Sequence, residues 1–160
     1  MFKKIAVAAA LVAASSAVFA AGPTPFYAGV DVSSTKSDYL DDDKAGYGAF
    51  VGYQINQSVA VEAGFHRLAD TTVYGQDAKA DQTSISLIGS VPLTDGFSLL
   101  GRIGYNRVEY KFAGEKDHSN NALYGIGLGY AFSPVVSARL EVQKPDSDLT
   151  KLVAGVAFKF

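Results

Sequence analysis

Six ionisable residues, Asp31, Glu62, Arg102, Arg139, Glu141 and Lys151, fall in stretches where every second residue is small or polar. Acids and bases gathered in one interior can neutralise each other, and buried charges persist only when paired and hydrogen-bonded. Their chemistry would be electrostatic: a charge network that plugs a lumen or, if its pairs can part, a gated path for ions. Such a network need not stabilise a fold relative to an apolar core, but removal of one partner costs roughly 3 to 5 kcal/mol.

Other chemistries find less support. Acyl transfer needs a nucleophile, a base and an orienting acid within reach of one another. The chain has 2 His. His66 points inward on a strand, and His118 sits in the polar run Glu115-Lys116-Asp117-His118-Ser119, where adjacent residues of an extended chain face apart. No catalytic site is expected. With 0 Cys there is no disulfide, thiolate metal site or thiol nucleophile. Asp38, Asp41, Asp42 and Asp43 lack the spacing and glycine of an EF-hand loop, and read as a solvated segment. No metal and no cofactor are expected. The 14 Lys and Arg against 16 Asp and Glu give a net charge of −2. That balance lacks the basic face of a nucleic-acid binder.

The elements that would position the six charges are strands. A two-residue alternation recurs along almost the whole chain after residue 21, and the 9 Tyr and 10 Phe suit a pleated surface. It predicts β-strands at 26–33, 45–55, 59–68, 82–93, 97–110, 122–132, 135–143 and 149–160. Most have the ~9 to 11 residues that a tilted strand needs to cross a bilayer. Three connections are tight, at 56–58, 94–96 and 133–134. Four are longer and polar, at 34–44, 69–81, 111–121 and 144–148. Short turns at one end and long loops at the other are the habit of outer-membrane barrels.

Parity divides each strand into two faces. One face is apolar, with Val30, Val51, Val61, Leu87, Ile103, Ile126, Leu140 and Leu152 in its middle and aromatic residues at its ends. Phe26, Tyr53, Phe97, Tyr130, Phe132, Phe158 and Phe160 gather at the short-turn end, and Tyr47, Phe65, Tyr105 and Tyr124 at the loop end. Two aromatic girdles around an aliphatic band suit a lipid-facing surface. The other face carries the six charges with Gly46, Gly48, Gly52, Gly64, Gly104, Gly125, Gly127 and Gly129. Glycine in a strand marks the close approach of another group, so the lumen of a narrow barrel would be filled. A soluble ligand-binding barrel of lipocalin type also has about eight strands, but it would need an apolar interior and would expose the charged face to water.

The N-terminus fits export. Lys3 and Lys4 precede an apolar run from Ile5 to Val12, then Val18-Phe19-Ala20, the pattern of a secretory signal peptide. Residues 1–20 are read as the signal and 21–160 as one barrel domain.

These features resemble the small outer-membrane barrels of the OmpA-transmembrane-domain, OmpX and opacity-protein type. The likeness rests on the strand plan, the set Glu62, Arg102, Arg139 and Glu141, the run Gly104-Tyr105-Asn106-Arg107, and the ending Val156-Ala157-Phe158-Lys159-Phe160. It implies an all-β, eight-stranded antiparallel up-and-down transmembrane barrel in the bacterial outer membrane. It also implies that Val156, Phe158 and Phe160 form a C-terminal signal read by the barrel-assembly machinery. The partners implied are outer-membrane lipids and lipopolysaccharide, that machinery with periplasmic chaperones, and a host or cell-surface ligand at the loops, with no nucleic acid. The OmpA plan adds a peptidoglycan-binding domain, which is not expected of a sequence that stops at Phe160. The function expected is structural, at the cell surface, with a small ion channel as the alternative and an adhesin or lipid-modifying enzyme ranked below it. A monomer is expected, since strand edges close on one another within a ring.

Overall fold

In the computed structural model, residues 25–37, 40–73, 76–112, 115–147 and 149–160 are described. Residues 1–20, read above as a signal peptide, Asp38 and the side chains of Asp41, Asp42 and Asp43 lie outside that set. Eight strands follow one another: β1 (Phe26–Ser37), β2 (Leu40–Asn56), β3 (Val59–Val73), β4 (Gln76–Pro92), β5 (Phe97–Phe112), β6 (Glu115–Ala131), β7 (Val136–Asp146) and β8 (Leu149–Lys159). Each pairs antiparallel with its sequence neighbour, and β1 pairs with β8 to close the barrel.

One rim, here the turn rim, carries the connections at 57–58, 93–96 and 132–135. Each has local chemistry that forces reversal. At Thr94-Asp95-Gly96, Asp95 and Gly96 take φ of 52° and 83°, and Phe97 N donates to Thr94 O at 3.0 Å. Two successive positive φ values match the right-handed twist of a hairpin, which is why Asp-Gly is favoured there. Asn56 Oδ1 accepts from Ser58 N at 2.8 Å, and Ser133 Oγ accepts from Val136 N at 3.1 Å. Both are side-chain mimics of a backbone turn.

At the other rim the structure departs from the sequence reading. The segments 34–44, 69–81, 111–121 and 144–148, read as long polar loops, are mostly strand. For example, β3 and β4 stay paired from Val59↔Gly89 to Val73↔Gln76, and β5 and β6 from Phe97↔Tyr130 to Phe112↔Glu115. Hydropathy alternates only where one face meets lipid. Beyond that band both faces can be polar, so the alternation fades while the backbone ladder continues. Closure is also limited in height. Among the described residues, β2 pairs with β3 no further than Tyr47↔Arg67, and β6 with β7 no further than Tyr124↔Lys144. Above those points β3 to β6 stand as a projecting sheet, so edge closure belongs to the ring and not to the strand ends.

Within the ring the apolar parity faces outward. Val51 and Ile126 are 60% and 61% exposed, which in water would be costly and in lipid is favourable. Aromatic pairs brace the turn rim, with Phe97 and Tyr130 centroids 4.6 Å apart and Phe26 and Tyr53 5.1 Å apart. Such pairs add about 0.5 to 1.5 kcal/mol each beyond area burial. Tyr47, Phe65, Tyr105 and Tyr124 are exposed at the opposite limit of the band.

The inward parity alternates large and absent side chains between neighbouring strands. Asp31 lies between Gly48 and Gly155, Arg139 between Gly129 and Gly155, Glu141 opposite Gly127, Glu62 opposite Gly52, and Arg102 opposite Gly125. A Cβ added at Gly127 would stand 2.7 Å from Glu141 Cγ, and one at Gly125 would stand 3.3 Å from Arg102 Cβ. Outward-facing Gly101 has no neighbour within 4 Å of that position. Gly127→Val is therefore expected to destabilise the refolded protein by about 1 to 3 kcal/mol through overpacking. Gly101→Val should stay within about 0.5 kcal/mol, as surface changes usually do. Urea unfolding in lipid vesicles, followed by heat-shifted gel mobility, measures both.

Candidate functional site: the charged layer of the lumen

Three strands supply the charged layer. Glu62 enters from β3, Arg102 from β5, and Arg139 and Glu141 from successive inward positions of β7. The four form a closed circuit. Arg102 donates through Nε to Glu141 Oε2 at 2.8 Å and through Nη2 to Glu141 Oε1 at 3.0 Å. The same Nη2 lies 3.0 Å from Glu62 Oε1. Arg139 grips Glu62 with Nη1 on Oε2 at 2.5 Å and Nη2 on Oε1 at 3.1 Å. Its Nε stands 3.2 Å from Glu141 Oε1. Each carboxylate thus meets both guanidinium groups, and the pairs Arg102–Glu141 and Arg139–Glu62 have the planar fork geometry in which arginine binds carboxylate best.

Uncharged groups complete the set. Tyr27 donates its hydroxyl to Glu62 Oε2 at 3.1 Å, and Gln143 Nε2 donates to Glu141 Oε2 at 3.1 Å. Phe50 projects from β2 beneath Arg139, whose Cζ is 3.7 Å from the ring centroid. A desolvated cation over an aromatic face is worth about 2 kcal/mol. Tyr27, Phe50 and Gln143 share the inward parity with Asp31, Gly52 and Glu141, so their positions were readable. Their partners were not, because each contact crosses strands distant in sequence.

Asp31 sits at the margin of this layer. Its Oδ2 is 3.8 Å from Arg139 Nη2 and 3.0 Å from His66 Nε2. Lys151 stands apart. It is buried to 0% exposure and its Nζ donates to Gln82 Oε1 at 3.1 Å; no ion pair to a carboxylate is found for it among the described residues. Nearer the loop rim, Asn106 Nδ2 donates to Pro145 O at 2.8 Å and Asn121 Nδ2 to Asp146 Oδ2 at 2.7 Å. Below the layer lies a cavity of ≈ 200 Å³ lined in part by Tyr27, Ser90, Ser98, Leu100, Ser137 and Arg139. The interior is not wholly polar, for Phe50, Ile88, Val108, Leu123 and Val153 are buried inside it. His118 lies away from these groups, on the exposed part of β6.

An outward apolar band bounded by aromatic residues, a charged layer inside and closure of β1 on β8 describe a membrane barrel, and comparison with known proteins agrees. The family model described as Outer membrane protein beta-barrel domain matches residues 6–160. The chain belongs to that family of bacterial outer-membrane β-barrels. Outer membrane protein P5 of Haemophilus influenzae is 32% identical over 179 aligned positions, covering 88% of this chain and 50% of that one. Outer membrane protein A of Salmonella typhi is 28% identical over 145 positions, covering 74% of this chain and 41% of its own length. The chain therefore spans about half or less of these curated relatives. Among solved structures, Neisserial surface protein A superposes with a TM-score of 0.62 at 20% identity, covering 88% of this chain and 100% of that one. Ail, the attachment invasion locus protein of Yersinia pestis, solved with the heparin analogue sucrose octasulfate, gives 0.61 at 20% identity over 84% of this chain and 96% of Ail. At such identity the likeness speaks to the fold. The protein is an OmpA-like outer-membrane barrel.

Loss of one member of the circuit leaves one buried charge in excess. Glu62→Ala is expected to lower unfolding free energy in lipid vesicles by about 3 to 5 kcal/mol. Lys151→Met removes a cation with no carboxylate in contact, and is expected to leave stability unchanged or raised. Equal losses in the two variants would contradict the division between circuit and Lys151.

Proposed function

We propose that this barrel is a non-enzymatic structural and surface component of the outer membrane, with its lumen closed by the Glu62, Arg102, Arg139 and Glu141 circuit. The observation that carries this reading is the circuit itself, buried and joined across β3, β5 and β7. Ions entering from either rim meet a layer in which each carboxylate is already bound in bidentate fashion by a guanidinium group. The turn rim faces the periplasm on this reading, following the habit of such barrels, and the projecting β3 to β6 sheet faces outward.

The partners proposed follow from the surfaces. Lipid and lipopolysaccharide cover the aliphatic band, and the assembly machinery with its periplasmic chaperones reads Val156, Phe158 and Phe160 on β8. The projecting sheet is where a host or cell-surface ligand would bind. The name and bound heparin analogue of Ail support that last idea only through a shared fold. The barrel is proposed to be a monomer.

A second reading, a small ion channel, is favoured by one observation. The circuit is a thin layer with the ≈ 200 Å³ cavity directly on its periplasmic side, so exchange of partners within one layer would open a path. Conductance of refolded protein in planar bilayers separates the two. The closed-barrel reading predicts a silent wild type, with discrete conductance appearing in Glu62→Ala and Arg102→Ala. Discrete openings of the wild type, altered in size or frequency by those substitutions, would replace it with the channel.

A further inference from the structure

On the lipid-facing parity, charge returns just beyond the aromatic girdle of the loop rim, and its distribution is uneven. Arg67 on β3 is held by Asp81, with Nε donating to Oδ1 at 2.9 Å. Lys36 on β1 and Lys144 on β7 are exposed, and no ion pair is found for either among the described residues. Lys144 Nζ has one long contact, to Ser147 O at 3.4 Å. The ladder puts these two cations in one row. Lys36 is opposite Thr150 of β8. Between Gln143↔Lys151 and Asp146↔Leu149 the register of β7 against β8 slips by one residue, so Thr150 faces the bulged pair Lys144-Pro145. Pro145 is fully buried, which leaves Lys144 on the outward side. Across its other edge Lys144 is opposite Tyr124, an exposed member of the girdle.

Two strand spacings separate Lys36 from Lys144, roughly 10 Å, and each ammonium rides on a flexible four-carbon stem. Both can therefore meet over Thr150, which shares the outward parity of Leu152. The Asp146 carboxylate does not neutralise them, being bonded by Asn121 Nδ2 at 2.7 Å and Ser147 N at 2.6 Å. Below the row the same strands expose Val32, Leu152, Val142 and Leu140, an aliphatic strip continuous with the lipid band. Two convergent cations and a hydroxyl above such a strip suit a ligand with an anionic head and acyl chains. A phosphate monoester carries close to two negative charges and three acceptor oxygens, which matches two ammonium groups. A phosphodiester carries a single charge.

We infer that the face formed by β7, β8 and β1 is a binding site for lipopolysaccharide, in which Lys36 and Lys144 bridge one phosphate monoester of the lipid A head over Thr150 while its acyl chains lie along the strip from Leu152 to Leu140. This rests on the reading that lipopolysaccharide surrounds the loop rim, and narrows that contact from a belt to one face. The site lies outside the lumen, so silence or activity in a bilayer recording leaves it untouched.

The test is amide NMR of the refolded protein in phosphatidylcholine nanodiscs into which bisphosphorylated lipid A is titrated, with the folding of each variant checked by heat-shifted gel mobility. The expected result is saturable shifts at Lys36, Lys144 and Thr150. Half-saturation should rise about tenfold or more in Lys36→Gln and in Lys144→Gln, as the loss of one charge-assisted hydrogen bond implies. Arg107→Gln is the control. That side chain is exposed on β5, opposite Thr83 and Asn120, and strand geometry sets it roughly 16 Å from Lys144. This exceeds the Debye length of about 8 Å, so its removal is expected to change half-saturation by less than about twofold. Equal effects in all three variants would overturn the site, showing a rim that responds to total charge. Phosphatidylglycerol binding as tightly as lipid A would overturn it as well, showing that a singly charged phosphodiester suffices. Absence of saturable shifts would do the same. The nanodisc offers lipid A in both leaflets, so such a failure speaks against the face and leaves the outward orientation of the projecting sheet standing.

Discussion

The pairing of Glu62 and Glu141 with Arg102 and Arg139 is the constraint around which the barrel interior is arranged. Two acids and two bases removed from water are costly, and their attraction offsets that cost only when geometry is good and remaining lone pairs are filled. The supporting contacts address those needs. Tyr27 and Gln143 supply donors to the carboxylates, and Phe50 covers the open face of Arg139. The interior glycines follow from the same demand. A long side chain can cross to its partner only where the neighbouring strand carries no side chain, as Gly127 does for Glu141 and Gly125 for Arg102.

The outer surface answers a different solvent. Lipid removes the penalty on exposed Val, Ile and Leu, while every backbone polar group inside the bilayer must still be paired. Closure of β1 on β8 meets that requirement. Above the ring the requirement lapses, and the incomplete pairing of β2 with β3 and of β6 with β7 becomes tolerable in water. The same chain thus presents a closed, edge-free belt to lipid and a projecting sheet with open edges beyond it.

Much of this architecture was legible in the sequence because lipid on one side and a polar lumen on the other impose a strict two-residue period. Val30 against Asp31, or Ile103 against Arg102, declares its face by type alone. The strand ends were not legible for the same reason, since polar residues suit either face of a strand once lipid is absent. Parity told that Glu62, Arg102, Arg139 and Glu141 point inward but not which partner each finds. Lys151 shows the limit. It shares their face and charge, yet register sets it opposite Thr35 and Gln143 and its ammonium bonds Gln82. Parity likewise puts Phe50 inward between Gly48 and Gly52, but does not tell that its ring lies under Arg139.

The most direct test of the account is a double-mutant cycle on Arg102 and Glu141, using Arg102→Met, Glu141→Leu and the combined variant, with unfolding free energies measured in lipid vesicles. Each single variant leaves the layer with one buried charge in excess, and the double variant restores the balance. The account predicts a coupling energy in the upper part of the range of about 0.5 to 3 kcal/mol found for directly interacting residues, with the double variant more stable than either single one. Additive losses, with coupling below about 0.5 kcal/mol, would contradict it and show that these charges sit in the lumen without depending on one another.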